Sequence, residues 1–329
     1  MNTAPSSPLH VTSTTAPDRP WSDRPQPQLE ATRRAPAGGE RALVLGGGGS
    51  TGNAWLIGVI AGLLEAGLDV TDADLTIGTS AGSTAAAQIT SATPTELLAA
   101  ILAAAPQQRT GPVTPDGGRV PTFPVADHLE RMGRIIAAED AADMRRRMGA
   151  VALDLDAASD GSGTARWRAT VAARLPGQRW PERAVHITAV DARTGEPVVF
   201  DRHSGVDLVD AVAASTAGGP AYGIGDRWYI DGGYRSIENA DLAAGYGRVL
   251  VLSPFGGRSQ HPREWGTNLA AQVDELRAGG SRVETISPDS DSEHLFGASA
   301  MDLSLRPPAA RAGYDRGWAL AEQLTEFWG

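Results

Sequence analysis

Ser80 lies in Gly78-Thr79-Ser80-Ala81-Gly82, directly after the apolar run Leu75-Thr76-Ile77 and ahead of an Ala-rich stretch from Ala81 to about Ser91 that reads as a helix. A Gly-x-Ser-x-Gly turn between a strand and a helix is a nucleophile elbow, because small flanking residues permit a tight turn that lifts the serine hydroxyl into the open. The helix that starts beside the serine also turns backbone N–H groups and a partial positive charge toward any developing oxyanion. A chain with 39 glycines also produces this pattern by chance. Taken alone, the motif leaves catalytic and structural readings evenly matched.

Gly46-Gly47-Gly48-Gly49 ends another apolar run, Ala42-Leu43-Val44-Leu45. A glycine turn at a strand end exposes N–H donors that suit a phosphate or an oxyanion. No Gly-Lys-Ser/Thr follows, and the Gly-x-Gly-x-x-Gly match lacks a strand ending in an acidic residue at the expected distance, so a nucleotide is disfavoured. The better reading is an oxyanion hole built from the amides of Gly47, Gly48 and Gly49, each well-placed donor being worth roughly 3–4 kcal/mol.

A serine nucleophile needs a base. Of the histidines, His10 falls in the N-terminal tail, His128 at the start of a cap-like region, His186 within a strand and His203 in a polar turn, while His261 and His294 lie in loop-like stretches and stay open as candidates. Asp231 is better situated, at the end of Trp228-Tyr229-Ile230 and followed by Gly232-Gly233, which let the backbone approach another loop closely. Strand ends on that side of an open parallel sheet line the active-site crevice. In isolation Asp-Gly reads more readily as a plain turn; the three motifs together reverse that judgement.

The Gly-rich loop, Gly-x-Ser-x-Gly and Asp-Gly-Gly, in that order, make the chain resemble the patatin-like phospholipases over about Arg41 to Pro254. The resemblance implies a Ser–Asp dyad without histidine, hydrolysis of fatty-acyl esters through an acyl-enzyme, and neither a metal nor an organic cofactor. Carried onto this sequence, it makes Ser80 the nucleophile, Asp231 the general base, and Gly47, Gly48 and Gly49 the oxyanion donors. It also implies that Ala211 to Pro220 shapes the pocket. One departure is Thr51, which stands where the family usually has a basic residue before the final glycine of the first motif. Asn239 and Asp241, just beyond Asp231, read equally as residues ordering its loop and as turn residues capping a helix.

An aspartate working alone as base must keep its charge beside a hydroxyl and then accept a proton, so it should sit in a partly dry site within hydrogen-bond reach of Ser80. The expected substrate is a phospholipid or related acyl ester. A transacylase or thioesterase would use the same dyad, and a catalytically silent acyl-binding module would keep the pocket, although retention of both Ser80 and Asp231 argues against the last.

The elements that must position these residues alternate. A helix carries Trp55, Leu56, Val59, Ile60, Leu63 and Leu64 at helical spacing and closes at Gly67. Thr93 to Ala105 reads as a helix with Thr93 as N-cap, Pro94 in its first turn and Glu96 completing a capping box. Gln107 to Pro124 is loose, and His128 to Met148 reads as a helix whose Arg145-Arg146-Arg147 run is a solvated face in preference to a patch for anionic head groups. Strands follow at Val185–Val190, Pro197–Phe200, Trp228–Ile230 and Arg248–Leu252, with a helix at Leu208–Ala214. The alternation predicts an α/β fold, a three-layer α/β/α arrangement around a mostly parallel sheet. The domain is expected over residues 40–329, with a cap or lid at about 106–180, after a Pro/Ser/Thr-rich disordered tail at 1–39.

Composition bounds the function. The 329 residues carry 29 Lys+Arg against 39 Asp+Glu, a formal charge of −10 that disfavours nucleic acid as a partner. The absence of cysteine rules out disulfides, thiolate metal sites and a cysteine nucleophile. No run approaches the roughly 20 apolar residues of a membrane span, and the first twenty residues lack a signal-peptide pattern, so a cytoplasmic setting with peripheral membrane contact is the expectation.

Overall fold

The computed structural model describes residues 39–104, 133 and 137–329. The expected tail, the loose stretch at 107–124 and most of the first half of the expected lid lie outside these residues.

The sheet is built from β1 (Arg41–Leu45), β2 (Leu75–Thr79), β3 (Ala184–Asp191), β4 (Pro197–Phe200), β5 (Tyr222–Ile224), β6 (Arg227–Asp231), β7 (Arg248–Leu252) and β8 (Arg282–Ile286), in the order β5-β6-β3-β2-β1-β7-β8 with β4 also on β3. The run β3-β2-β1-β7-β8 is parallel, and β4, β5 and β6 form an antiparallel margin. Helices α1 (Gly49–Glu65), α2 (Ala81–Ile89), α3 (Pro94–Ala103), α4 (Ala141–Ala157), α5 (Gly163–Ala172), α6 (Leu208–Ser215), α7 (Leu269–Ala278) and α8 (Arg306–Trp328) accompany the sheet, with short 3₁₀ turns between elements.

Strand alternation sets the layers. Leu43 and Leu45 of β1, with Leu250 and Leu252 of β7, join the larger core with α1, α2 and α8, whereas Ala42, Val44, Val249 and Val251 face α7 in a second core. The α/β fold with helices on both sides of the sheet is therefore as expected. The Thr93 capping box is present, with the Thr93 Oγ1 accepting from Glu96 N at 3.2 Å and Glu96 Oε2 accepting from Thr93 N at 3.0 Å.

The middle region differs in detail. The helix expected at 128–148 is described only from Ala141, where the Asp140 side chain caps it by accepting Asp143 N–H at 2.7 Å, and it runs on to Ala157. Its buried Met144, Met148 and Ala152 pack on Val190, Ala221 and Ile230 at the antiparallel margin of the sheet. In the arginine run, Arg147 and Arg146 pair with Asp143, while Arg145 Nε donates to Gly195 O at 2.6 Å and ties the helix to the β3–β4 turn.

Beyond Pro254 the chain adds β8, α7 and α8, and α8 lies against α1 at backbone contact. A Cβ on Gly58 or Gly62 of α1 would fall 2.1 Å from Ala310 O or 2.2 Å from Tyr314 O, and one on Gly313 or Gly317 of α8 would fall 2.3 Å from Trp55 O or 2.2 Å from Val59 O. Four glycines in two helices look costly by propensity; here they let two backbones meet and so bring the start of α8 to the glycine loop.

Candidate active site

The geometry follows from the register on β3. The strand β2 ends with Thr79 opposite Thr188, and β6, running antiparallel, ends with Asp231 opposite Ala189. Strand β4 pairs with residues 187–190 of β3, overlapping both, so β2 and β6 share the opposite edge and meet end to end. Residues far apart in sequence are thus delivered to adjacent positions.

At that junction Ser80 Oγ donates to Asp231 Oδ2 at 2.7 Å. Asp231 Oδ1 accepts Gly233 N–H at 2.8 Å, and its own N–H donates to Ala217 O at 3.0 Å. Ser80 has φ 52° and ψ −113°, a region that costs a non-glycine residue roughly 1–3 kcal/mol. The turn can be this tight because Gly78 and Gly82 have no Cβ: one on Gly78 would lie 2.6 Å from Ser83 Cα, and one on Gly82 1.9 Å from Leu45 O. Gly232 plays the same part for Asp231, since a Cβ there would lie 2.5 Å from Thr188 O.

The glycine loop flanks the serine, with Gly47 placed so that a Cβ would touch Ser80 Cβ at 3.6 Å. Of the three expected donors, Gly47 has its N–H engaged with Ile237 O at 2.8 Å. The amides of Gly48 and Gly49, which open α1, have no acceptor among the described residues. Among the described histidines none hydrogen-bonds Ser80: His261 Nδ1 faces Thr267 Oγ1 at 2.9 Å, His294 Nδ1 faces Asp291 O at 2.9 Å, and His186 and His203 line a separate cavity with Asp201. Burial drives the His261 imidazole down to about 4 and lowers His186 as well, so both disfavour the charged form. Among the described residues no cluster of His, Asp and Glu is arranged to hold a metal ion.

The patatin-like phospholipase family matches residues 43–244 of the chain. The chain belongs to the patatin-like phospholipase family. It is thus a lipid acyl hydrolase by class, acting on ester bonds. Among solved structures, the patatin-like chain is similar to VipD from Legionella pneumophila, at 13% identity and a TM-score of 0.39, over 88% of this chain and 67% of that one. It is also similar to the type III effector protein ExoU, at 16% identity and a TM-score of 0.38, over 86% of this chain and 53% of that one. No curated protein matches it by sequence. Among the described residues no helix of this patatin-like protein is long and apolar enough to cross a membrane.

Asn239 and Asp241, which in sequence read equally as residues ordering the Asp231 loop and as helix caps, belong to a hydrogen-bond network around the site, and the Asn239 side chain makes no cap hydrogen bond. Arg235, Gln272 and Arg306 are not singled out by sequence. Asn239, fully buried with φ 54°, donates from Nδ2 to Thr79 Oγ1 at 3.0 Å and to Ser236 O at 2.7 Å, and lies 3.3 Å from Gly232 O, so it braces the residues next to Ser80 and Asp231. Arg235 binds both Asn239 and Asp241, and Gln272 donates to Asp241 at 2.9 Å. Arg306, at the start of α8, donates to Ser50 O at 2.8 Å and Asn53 Oδ1 at 3.1 Å, bringing a cation beside Thr51 from the far end of the chain. No local pattern marks it; the contact exists only because α8 seats on α1.

Glu238 lies under the loop, 2% exposed, and burial pushes its carboxyl up from 4.5 to about 7 although Ser253 Oγ donates to it at 2.7 Å. The folded chain holds this proton more tightly than the unfolded one, so the associated stability is complete below about 4.5, declines as pH rises and is lost above about 7. Glu238→Gln is expected to flatten the fall in melting temperature between about pH 5 and about pH 8. Melting curves of both proteins across that window check this, and parallel curves would contradict it.

Proposed function

We propose that this patatin-like enzyme cleaves fatty-acyl esters of phospholipids or related lipids through a Ser80–Asp231 dyad. The observation that carries the reading is the 2.7 Å contact between the Ser80 hydroxyl and Asp231, at a strained elbow beside two uncommitted glycine amides. Asp231 takes the Ser80 proton as Oγ attacks the ester carbonyl, and the amides of Gly48 and Gly49 receive the charge on the carbonyl oxygen. Gly47 supplies close backbone approach. Collapse of the tetrahedral adduct expels the alcohol, which takes the proton from Asp231 and leaves an acyl-Ser80 ester. Water, deprotonated by Asp231, then releases the fatty acid and restores the serine.

Peripheral contact with a membrane from the cytoplasm belongs to the same proposal. It is supported by the exposed Met301 and Leu303, which follow Ala300, whose carbonyl accepts Thr51 N–H at 3.0 Å beside the loop. Product analysis with a panel of phospholipids and lysophospholipids tests the reading. Stoichiometric free fatty acid is expected; acyl transfer to an added alcohol or thiol in strong preference to water would point to a transacylase instead.

A further inference from the structure

Helix α6 ends in Ser215, whose side chain is fully buried and whose role nothing in the three motifs explains. Its Oγ accepts the N–H of Ser80 at 2.9 Å. That N–H needs an outside partner. The ladder of β2 stops at Thr79, and the φ of 52° at Ser80 turns the chain out of the strand before α2 begins. Two residues after Ser215, Ala217 O accepts the N–H of Asp231. Both members of the reacting pair are therefore fastened to one three-residue segment.

The segment is itself held. Thr216 N and Thr216 Oγ1 both donate to Val212 O, at 3.1 and 2.7 Å, and Ala217 N donates to Ala214 O at 3.2 Å, so the end of α6 is wound tight. A stiff strut of this kind fixes the separation of the two side chains that hang from it, and reacting groups lose rate steeply when misplaced by an ångström.

We infer that Ser215 is a positioning residue, holding the Ser80 elbow so that its hydroxyl stays within hydrogen-bond reach of Asp231. The inference rests on the reading of Ser80 and Asp231 as the reacting pair. Ser215→Ala removes the acceptor and little volume, whereas Ser215→Thr keeps the oxygen; Ser215→Cys, with a weaker acceptor, serves if threonine does not fit the packed site. The full chain is assayed for kcat and KM on a soluble acyl ester, with a thermal melt of each variant.

The expected result for Ser215→Ala is a fall in kcat of about 10–100-fold with KM within about 2-fold, and recovery of most of kcat by the oxygen- or sulfur-bearing variant. A residue that merely satisfies a buried N–H would lower the melting temperature without splitting kcat from KM. The inference is overturned if Ser215→Ala keeps kcat within about 2-fold of the parent, or if its loss only tracks the folded fraction. An inactive parent protein would instead overturn the dyad reading beneath it.

Discussion

Asp231→Asn is expected to lower turnover of a fatty-acyl ester by about 10²–10⁴-fold, the range that loss of a general base produces, with the fold intact. The two carboxylate oxygens have different duties: Oδ1 accepts Gly233 N–H at 2.8 Å and Oδ2 accepts the Ser80 hydroxyl at 2.7 Å. In the variant the amide oxygen stays with Gly233, because the alternative sets two donors face to face. The amide nitrogen then points at Ser80 Oγ, where it can donate but cannot take a proton. No described histidine hydrogen-bonds Ser80 to take over the task. The loss belongs in kcat and in kcat/KM, with substrate binding little altered. Steady-state kinetics with circular dichroism checks this, and turnover close to the parent's would contradict the assigned base.

Gly82→Ala is expected to be the most damaging single-methyl change near the site. The added carbon would lie 1.9 Å from Leu45 O, 2.4 Å from Leu45 C and 2.9 Å from Gly46 O, all of them backbone atoms at the end of the central strand β1. Ordinary overpacking costs about 1–3 kcal/mol because side chains give way. Here the strand or the elbow must move, so the cost exceeds that range and the serine loses its place against the glycine loop. Gly219→Ala is the matching control: nothing lies within 4 Å of its added carbon, and it is expected to melt like the parent. Comparable melting temperatures for the two variants would show that the elbow is not packed as described.

Asp231 and Gly82 belong to features legible in the sequence, and the reason is local. A nucleophile elbow, a glycine loop at a strand end and an Asp-Gly-Gly turn are each written in a few consecutive residues whose backbone demands are strict. The capping box at Thr93 is of the same kind. What stayed hidden depends on partners far away. Ser215 meets Ser80 across 135 residues and Arg306 meets Ser50 across 256, and neither carries a local signature. The glycines of α8 read as helix weakeners until α1 supplies the matching Gly58 and Gly62. Likewise β8, with its half-exposed pattern, and β5, only three residues long, gave too little periodicity to stand out.

Covalent acylation of Ser80 can be read by treating the folded protein with a fluorophosphonate, which reacts with an activated serine, and mapping the modified peptide by mass spectrometry. One adduct per chain is expected, on Ser80, formed in the parent protein, absent from Ser80→Ala and much slower in Asp231→Asn. An adduct on another residue, or a folded parent that stays unmodified, would contradict it.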